Sequence, residues 1–163
     1  MGCFDMPIAA RAVGCDYLAM NRDYLLEFEA ILVGQECAIS RREHDWLFAL
    51  SGDGDLAVSV PWRVVSQGCI EFGSEDHGHL FGLSVPVDGE EMCRKLIGNR
   101  LVTSARVDRQ TADLTLHFGS TIRIDIFNNS SGYEGWDAGV DAGSESMRVI
   151  ALGGGNVAVF CKP

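Results

Sequence analysis

DWLFALSGDGDLAVSVPW, residues 45–62, is the stretch on which the fold turns. Trp46, Phe48 and Leu50 fall on every second position, and Leu56, Val58 and Val60 resume that period after the polar run SGDGD. A period of two marks strands with one buried face, and a short reversal rich in Gly and Asp between two such runs marks a hairpin. Its segment GDGDLA imitates the G-x-G-x-x-A loop of dinucleotide-binding folds, but that loop must join a strand to a helix. Here it joins two strands, so the glycines belong to the turn.

Working outward, the pattern recurs in DLTLHFGSTIRIDIFN, residues 113–128. Leu114, Leu116 and Phe118 fall on Trp46, Phe48 and Leu50, while Ile122, Ile124 and Ile126 fall on Leu56, Val58 and Val60. The two turns differ by two residues, a change that exposed turns tolerate best. Upstream, ILVGQECAIS (31–40) aligns with KLIGNRLVTS (95–104) through Leu32 and Leu96, Gly34 and Gly98, Gln35 and Asn99. The register predicts an internal duplication.

Each copy opens on a helical segment. NRDYLLEFEAILV places Tyr24, Leu25, Phe28, Ile31 and Leu32 on one face, and VDGEEMCRKLI carries Glu90 and Glu91 early with Arg94 and Lys95 late, as a helix dipole favours. Gly34 and Gly98 are expected to close these helices at positive φ. Further strands are expected in WRVV and CIEF, joined through Ser66, Gln67 and Gly68, and in SMRVIAL and NVAVF, separated by Gly153, Gly154 and Gly155. The expected class is α+β, predominantly antiparallel β. Two degenerate helix-plus-strand repeats, 31–73 and 95–160, would form one sandwich or barrel-like domain over 21–163, with 1–20 as an N-terminal extension.

Composition narrows the function. With 47% hydrophobic and 22% charged residues, the chain of 163 residues has material for a packed core. No apolar run reaches the roughly 18–20 residues that span a bilayer, and the start MGCFDMPIAARAVGCDYL lacks the pattern of a signal peptide. The expectation is a cytoplasmic protein with no membrane partner. The formal charge is −10, and it is uneven: residues 1–86 carry 13 acids against 5 bases, residues 87–163 carry 10 against 8. Such a surface repels phosphate backbones and suits a basic protein, so nucleic acid is not expected as a partner. The six cysteines lie far apart with no Cys-x-x-Cys. They read as free thiols, with Cys37 and Cys69 as small buried hydrophobes inside strand patterns.

The order LVGQ, strand, LIGN, then TADLTLHFGSTIRIDIFNNSSGYEGW, ending near GGGN, resembles a family of small uncharacterised bacterial proteins. In that family a strand like DLTLHF leads into a turn and a Tyr-Glu-x-Trp segment. The resemblance covers residues 31–160 and is clearest from Leu96 to Trp136; the family's usual Asp-Gly hairpin is Gly119-Ser120 here. It implies the fold and a bacterial origin. Some members look like the immunity proteins that accompany secreted toxins, which implies a basic toxin as partner.

The candidate sites are few. No G-x-S-x-G elbow is present, and no partnered nucleophile and base stand within sequence reach, so no catalytic residue and no cofactor are expected. SSGYEGW (130–136) is expected to be a turn whose aromatics cover the end of the core, with Ser131, Tyr133, Glu134 and Trp136 as recognition residues if they stay exposed. Asp53 and Asp55 of SGDGD join them as acidic contact residues. His77 and His79 of EDHGHL would point to one face of a strand and reach a single cation together. Two functions follow: a non-catalytic acidic protein-interaction module of the immunity type, or a small-ligand or metal-binding domain using loops 73–80 and 128–137. Homodimerisation through exposed strand edges is a third, structural expectation.

Overall fold

The computed structural model describes residues 22–162; the N-terminal extension predicted for 1–20 lies outside them. Helix α1 (Tyr24–Leu32) starts at Asp23, whose carboxylate accepts from the amides of Leu25 and Leu26 at 3.1 Å each. It buries Tyr24, Leu25, Phe28 and Leu32, with Ile31 packed beside them. Gly34 follows at φ 85, and its amide donates to the Val102 carbonyl at 2.8 Å, tying the end of the helix to the second half of the chain. Helix α2 (Gly89–Leu96) is capped by Asp88 in the same way and followed by Gly98 at φ 54. Both glycine caps fall where the sequence placed them.

Eleven strands make two antiparallel sheets. In chain order they are β1 (Cys37–Arg41), β2 (Trp46–Leu50), β3 (Asp55–Val58), β4 (Trp62–Ser66), β5 (Cys69–Gly73), β6 (Ser104–Val107), β7 (Leu114–Phe118), β8 (Ile122–Ile126), β9 (Trp136–Asp141), β10 (Ser146–Ala151) and β11 (Val157–Lys162). The six-stranded sheet runs β1-β2-β3-β9-β10-β11 and the five-stranded sheet β5-β4-β8-β7-β6. Each sheet thus takes a three-stranded meander from one half of the chain and the following strands from the other. The chain changes sheets between β3 and β4 and again between β8 and β9. Two strand pairings join the halves, β3 with β9 (Val58 opposite Trp136) and β4 with β8 (Trp62 opposite Ile126), and an isolated bridge sets Glu36 opposite Leu101.

Neither sheet closes on itself, so the barrel-like alternative is dropped; the strands end in open edges instead. The inward residues of both sheets and of both helices belong to one apolar cluster. Its centre is aromatic. Gly89, first residue of α2, lies where a Cβ would come 2.5 Å from the Phe72 ring and 2.7 Å from that of Trp46, so glycine alone permits this approach. Among the described residues no helix is long and apolar enough to cross a membrane.

Two local expectations are corrected. Cys69 is exposed, because it opens edge strand β5 directly after the Gln67–Gly68 turn and only Phe72 of that strand is buried. His77 and His79 are not on a strand. A 3-10 turn at Ser74–Asp76 ends β5, and the two histidines follow it in a loop.

Candidate acidic trough on the six-stranded sheet

Residues on one face of a sheet that share a cross-strand row stand side by side. On the outer face of the six-stranded sheet one row reads Asp55, Gly139, Arg148, Phe160, and the next reads Asp141, Ser146, Lys162. Gly139 leaves the middle of its row without a side chain. The result is a trough of about 650 Å³, walled by Asp53, Asp55, Glu134 and Asp141 with Arg148, Lys162 and Phe160. Asp53 arrives from the β2–β3 turn, where it holds φ 60. That turn is pressed against β9: a Cβ on Gly54 would meet the Gly139 carbonyl at 2.8 Å.

The electrostatics of the trough are acidic. Arg148 is already committed, its Nε donating to Asp137 Oδ1 at 2.9 Å and its Nη2 to Oδ2. Hydrogen bonding to Asp137, with further attraction from Asp137, Glu134 and Asp55, holds the guanidinium above its ordinary pKa. Lys162 is the remaining cation of the wall, against four carboxylates. A positively charged group entering between Asp55 and Glu134 would meet attraction from both sides and an aromatic face at Phe160.

The loop SSGYEGW divides between surface and core. The Ser130 hydroxyl accepts from the amides of Gly132 at 3.2 Å and Tyr133 at 2.9 Å, a turn that the serine side chain builds. The Ser130 carbonyl accepts from Gly154 at 2.8 Å, seating the loop on the Gly153–Gly155 turn. Ser131 and Tyr133 are exposed, Tyr133 at 82%, and Glu134 reaches the trough. Trp136 is 1% exposed, so it leaves the set of recognition residues. Its indole lies over Phe28, with ring centroids 5.9 Å apart and planes at 10°, and its Nε1 donates to the Ala112 carbonyl at 2.8 Å. An inward position at the start of β9 forces this, since Val58 opposite it is also inward.

The structure therefore brings Asp53, Asp55 and Glu134 together and separates Trp136 from them. Sequence reasoning missed Asp141, Arg148, Phe160, Lys162 and the empty place at Gly139. Their signal was the outward phase of WDAGVD, SMRVIA and VAVFCK; the missing information was the pairing of β3 with β9.

The histidine pair offers no comparable arrangement. His77 Nδ1 accepts from the Gly89 amide at 3.1 Å, and its ring stands edge-on to Trp46. His79 stacks on Phe81. Among the described residues no group of three His, Cys, Asp or Glu side chains is placed to hold a metal ion. Cys37 and Cys93 are buried, and burial pushes both thiols up to about 12.

Comparison of the chain with protein-family models, with curated proteins and with solved structures finds no match.

Proposed function

We propose that this chain is a non-catalytic, acidic protein-binding module, an immunity-type inhibitor from a bacterial cytoplasm that covers a basic toxin. The observation that carries the reading is the trough: Asp53, Asp55 and Glu134, set apart by some eighty residues of chain, line one concavity with Asp141. A lysine or arginine of the partner would enter between these acids, with the rest of the outer sheet face as its landing area. Acidic surfaces of this kind speed encounter with a basic partner and make it sensitive to salt. The element order supports a further point, that the chain arose by duplication of a unit comprising a helix, a three-stranded meander, a change of sheet and an antiparallel pair, to which the second copy adds β11.

The test is calorimetric titration against any basic protein found encoded beside this chain; the absence of such a neighbour also counts against the reading. Affinity should fall by about tenfold or more as salt rises from about 0.05 M to about 0.5 M, and the triple variant Asp53→Asn, Asp55→Asn, Glu134→Gln should lose a similar amount. Salt-independent binding, or a triple variant that binds like the parent, overturns the reading.

A further inference from the structure

The connection between β5 and α2 carries an apolar tip that the core does not use. Leu80, Phe81, Leu83 and Val85 are 52%, 66%, 58% and 66% exposed. Scattered exposed apolar residues are ordinary, but four within six positions form a patch. The loop is also built to hold them there. At its base the Gly78 amide donates to the Val87 carbonyl and the Val87 amide to the His79 carbonyl, both at 2.8 Å. At its tip the Leu83 amide donates to the Leu80 carbonyl at 2.7 Å, closing a four-residue turn.

The two central residues of that turn are Phe81 at φ 43 and Gly82 at φ 79. Two successive positive φ angles are met most readily by Asn-Gly, and a bulky aromatic in the first place is strained. Turn stability alone would not select phenylalanine there. His79, itself exposed, stacks on the ring at 5.5 Å between centroids and supports it from one side. An exposed aromatic side chain carried on strained backbone and supported by a neighbouring ring is arranged as an anchor for another surface, because part of its freedom is already given up before docking.

The charge around the tip selects the occupant. The connection itself, residues 74–88, contains Glu75, Asp76 and Asp88 and no lysine or arginine. A second copy of this chain would bring the same acids against each other, and an anionic membrane would be repelled. We infer that the Leu80–Val85 tip is a docking knuckle that inserts Phe81 into an apolar cleft of a protein partner whose rim carries lysine and arginine. The inference rests on the protein-binding reading above but on a different surface, about which the trough says nothing.

The experiment places a photo-reactive benzoylphenylalanine at position 81 in the full chain, produced in its own cells. The cross-linked species is identified, purified and titrated against the parent, Phe81→Asn and Gly139→Val. The expected result is a basic protein that binds Phe81→Asn at least about tenfold more weakly than the parent. Phe81→Asn should keep or raise the melting temperature, since asparagine suits the turn, so lost binding cannot be ascribed to lost folding. A cross-link confined to a second copy or to lipid, the absence of any cross-link, or a partner bound equally by Phe81→Asn overturns the knuckle. If Phe81→Asn binds normally while Gly139→Val does not, the knuckle fails and the trough stands; the reverse outcome removes the trough alone.

Discussion

Trp46 of β2 and Trp62 of β4 meet edge to face where the two sheets pack, 5.0 Å between ring centroids and 89° between planes. Phe48 and Phe72 add further edge contacts to Trp62. Such aromatic pairs contribute beyond their buried area and fix the spacing of the sheets. Trp62 opens β4 and Trp136 opens β9, each the first strand after a change of sheet, yet their indole nitrogens differ. Trp136 Nε1 has the Ala112 carbonyl, whereas Trp62 Nε1 is buried with no acceptor among the described residues.

Phenylalanine at these two places should separate packing from hydrogen bonding. Trp136→Phe strands a buried carbonyl and should cost about 1–3 kcal/mol more than the lost ring volume alone. Trp62→Phe removes an unsatisfied donor, so its cost should be the smaller by at least about 1 kcal/mol. Urea unfolding of both variants measures the difference. Equal losses would mean that the Trp136 bond contributes nothing.

Asn128 is a junction of three segments. Its Nδ2 donates to the carbonyls of Thr111 and Leu152, each at 2.9 Å, and its amide donates to Asp113 Oδ1 at 2.8 Å. Asn128→Asp would turn two donors into a carboxylate facing two carbonyls beside another acid. The expected loss is about 3 kcal/mol or more at neutral pH, with partial recovery in acid once the new carboxyl is protonated. Chemical denaturation across pH checks both the size and the sign.

The cysteines should differ sharply in reactivity. A maleimide at neutral pH should label exposed Cys69 readily and leave Cys37 and Cys93 until the chain unfolds, since only the thiolate reacts and theirs is suppressed. The same burial has a consequence at high pH. The folded thiols ionise near 12, above the ordinary 9.0, so the unfolded chain ionises first and stability declines as pH rises through that interval. Peptide mapping after labelling, and a reduced alkaline decline in Cys37→Ala, are the measurements.

The trough can be filled without harming the fold. A Cβ on Gly139 would come 3.5 Å from Asp55 Oδ1, an ordinary contact, and valine suits a strand. Gly139→Val should therefore leave the melting temperature unchanged or higher while abolishing partner binding. Retained affinity would place the contact face elsewhere.

Much of the framework was readable along the chain, because strand alternation and helix caps are local properties. Trp46 through Val60 and Leu114 through Ile126 announced their hairpins by periodicity alone. Gly34 and Gly98 marked the helix ends for reasons confined to a few neighbouring residues, while the Asp23 and Asp88 caps emerged with the structure. The errors came where burial depends on a partner strand. Cys69 has an apolar neighbourhood in sequence but sits at an edge, and which aromatic of SSGYEGW covers the core, Trp136 rather than Tyr133, is decided only when β9 pairs with β3.

Sequence by itself determined both helices, their glycine caps, the excess of negative charge and most of the strands, though not β9, since each is set by residues close together in the chain. Tertiary structure decided which strands of one half lie beside which meander of the other, and through that choice which acids share a concavity. Cross-strand neighbours are selected by the free energy of closing a whole core, a sum over distant contacts that no short stretch encodes.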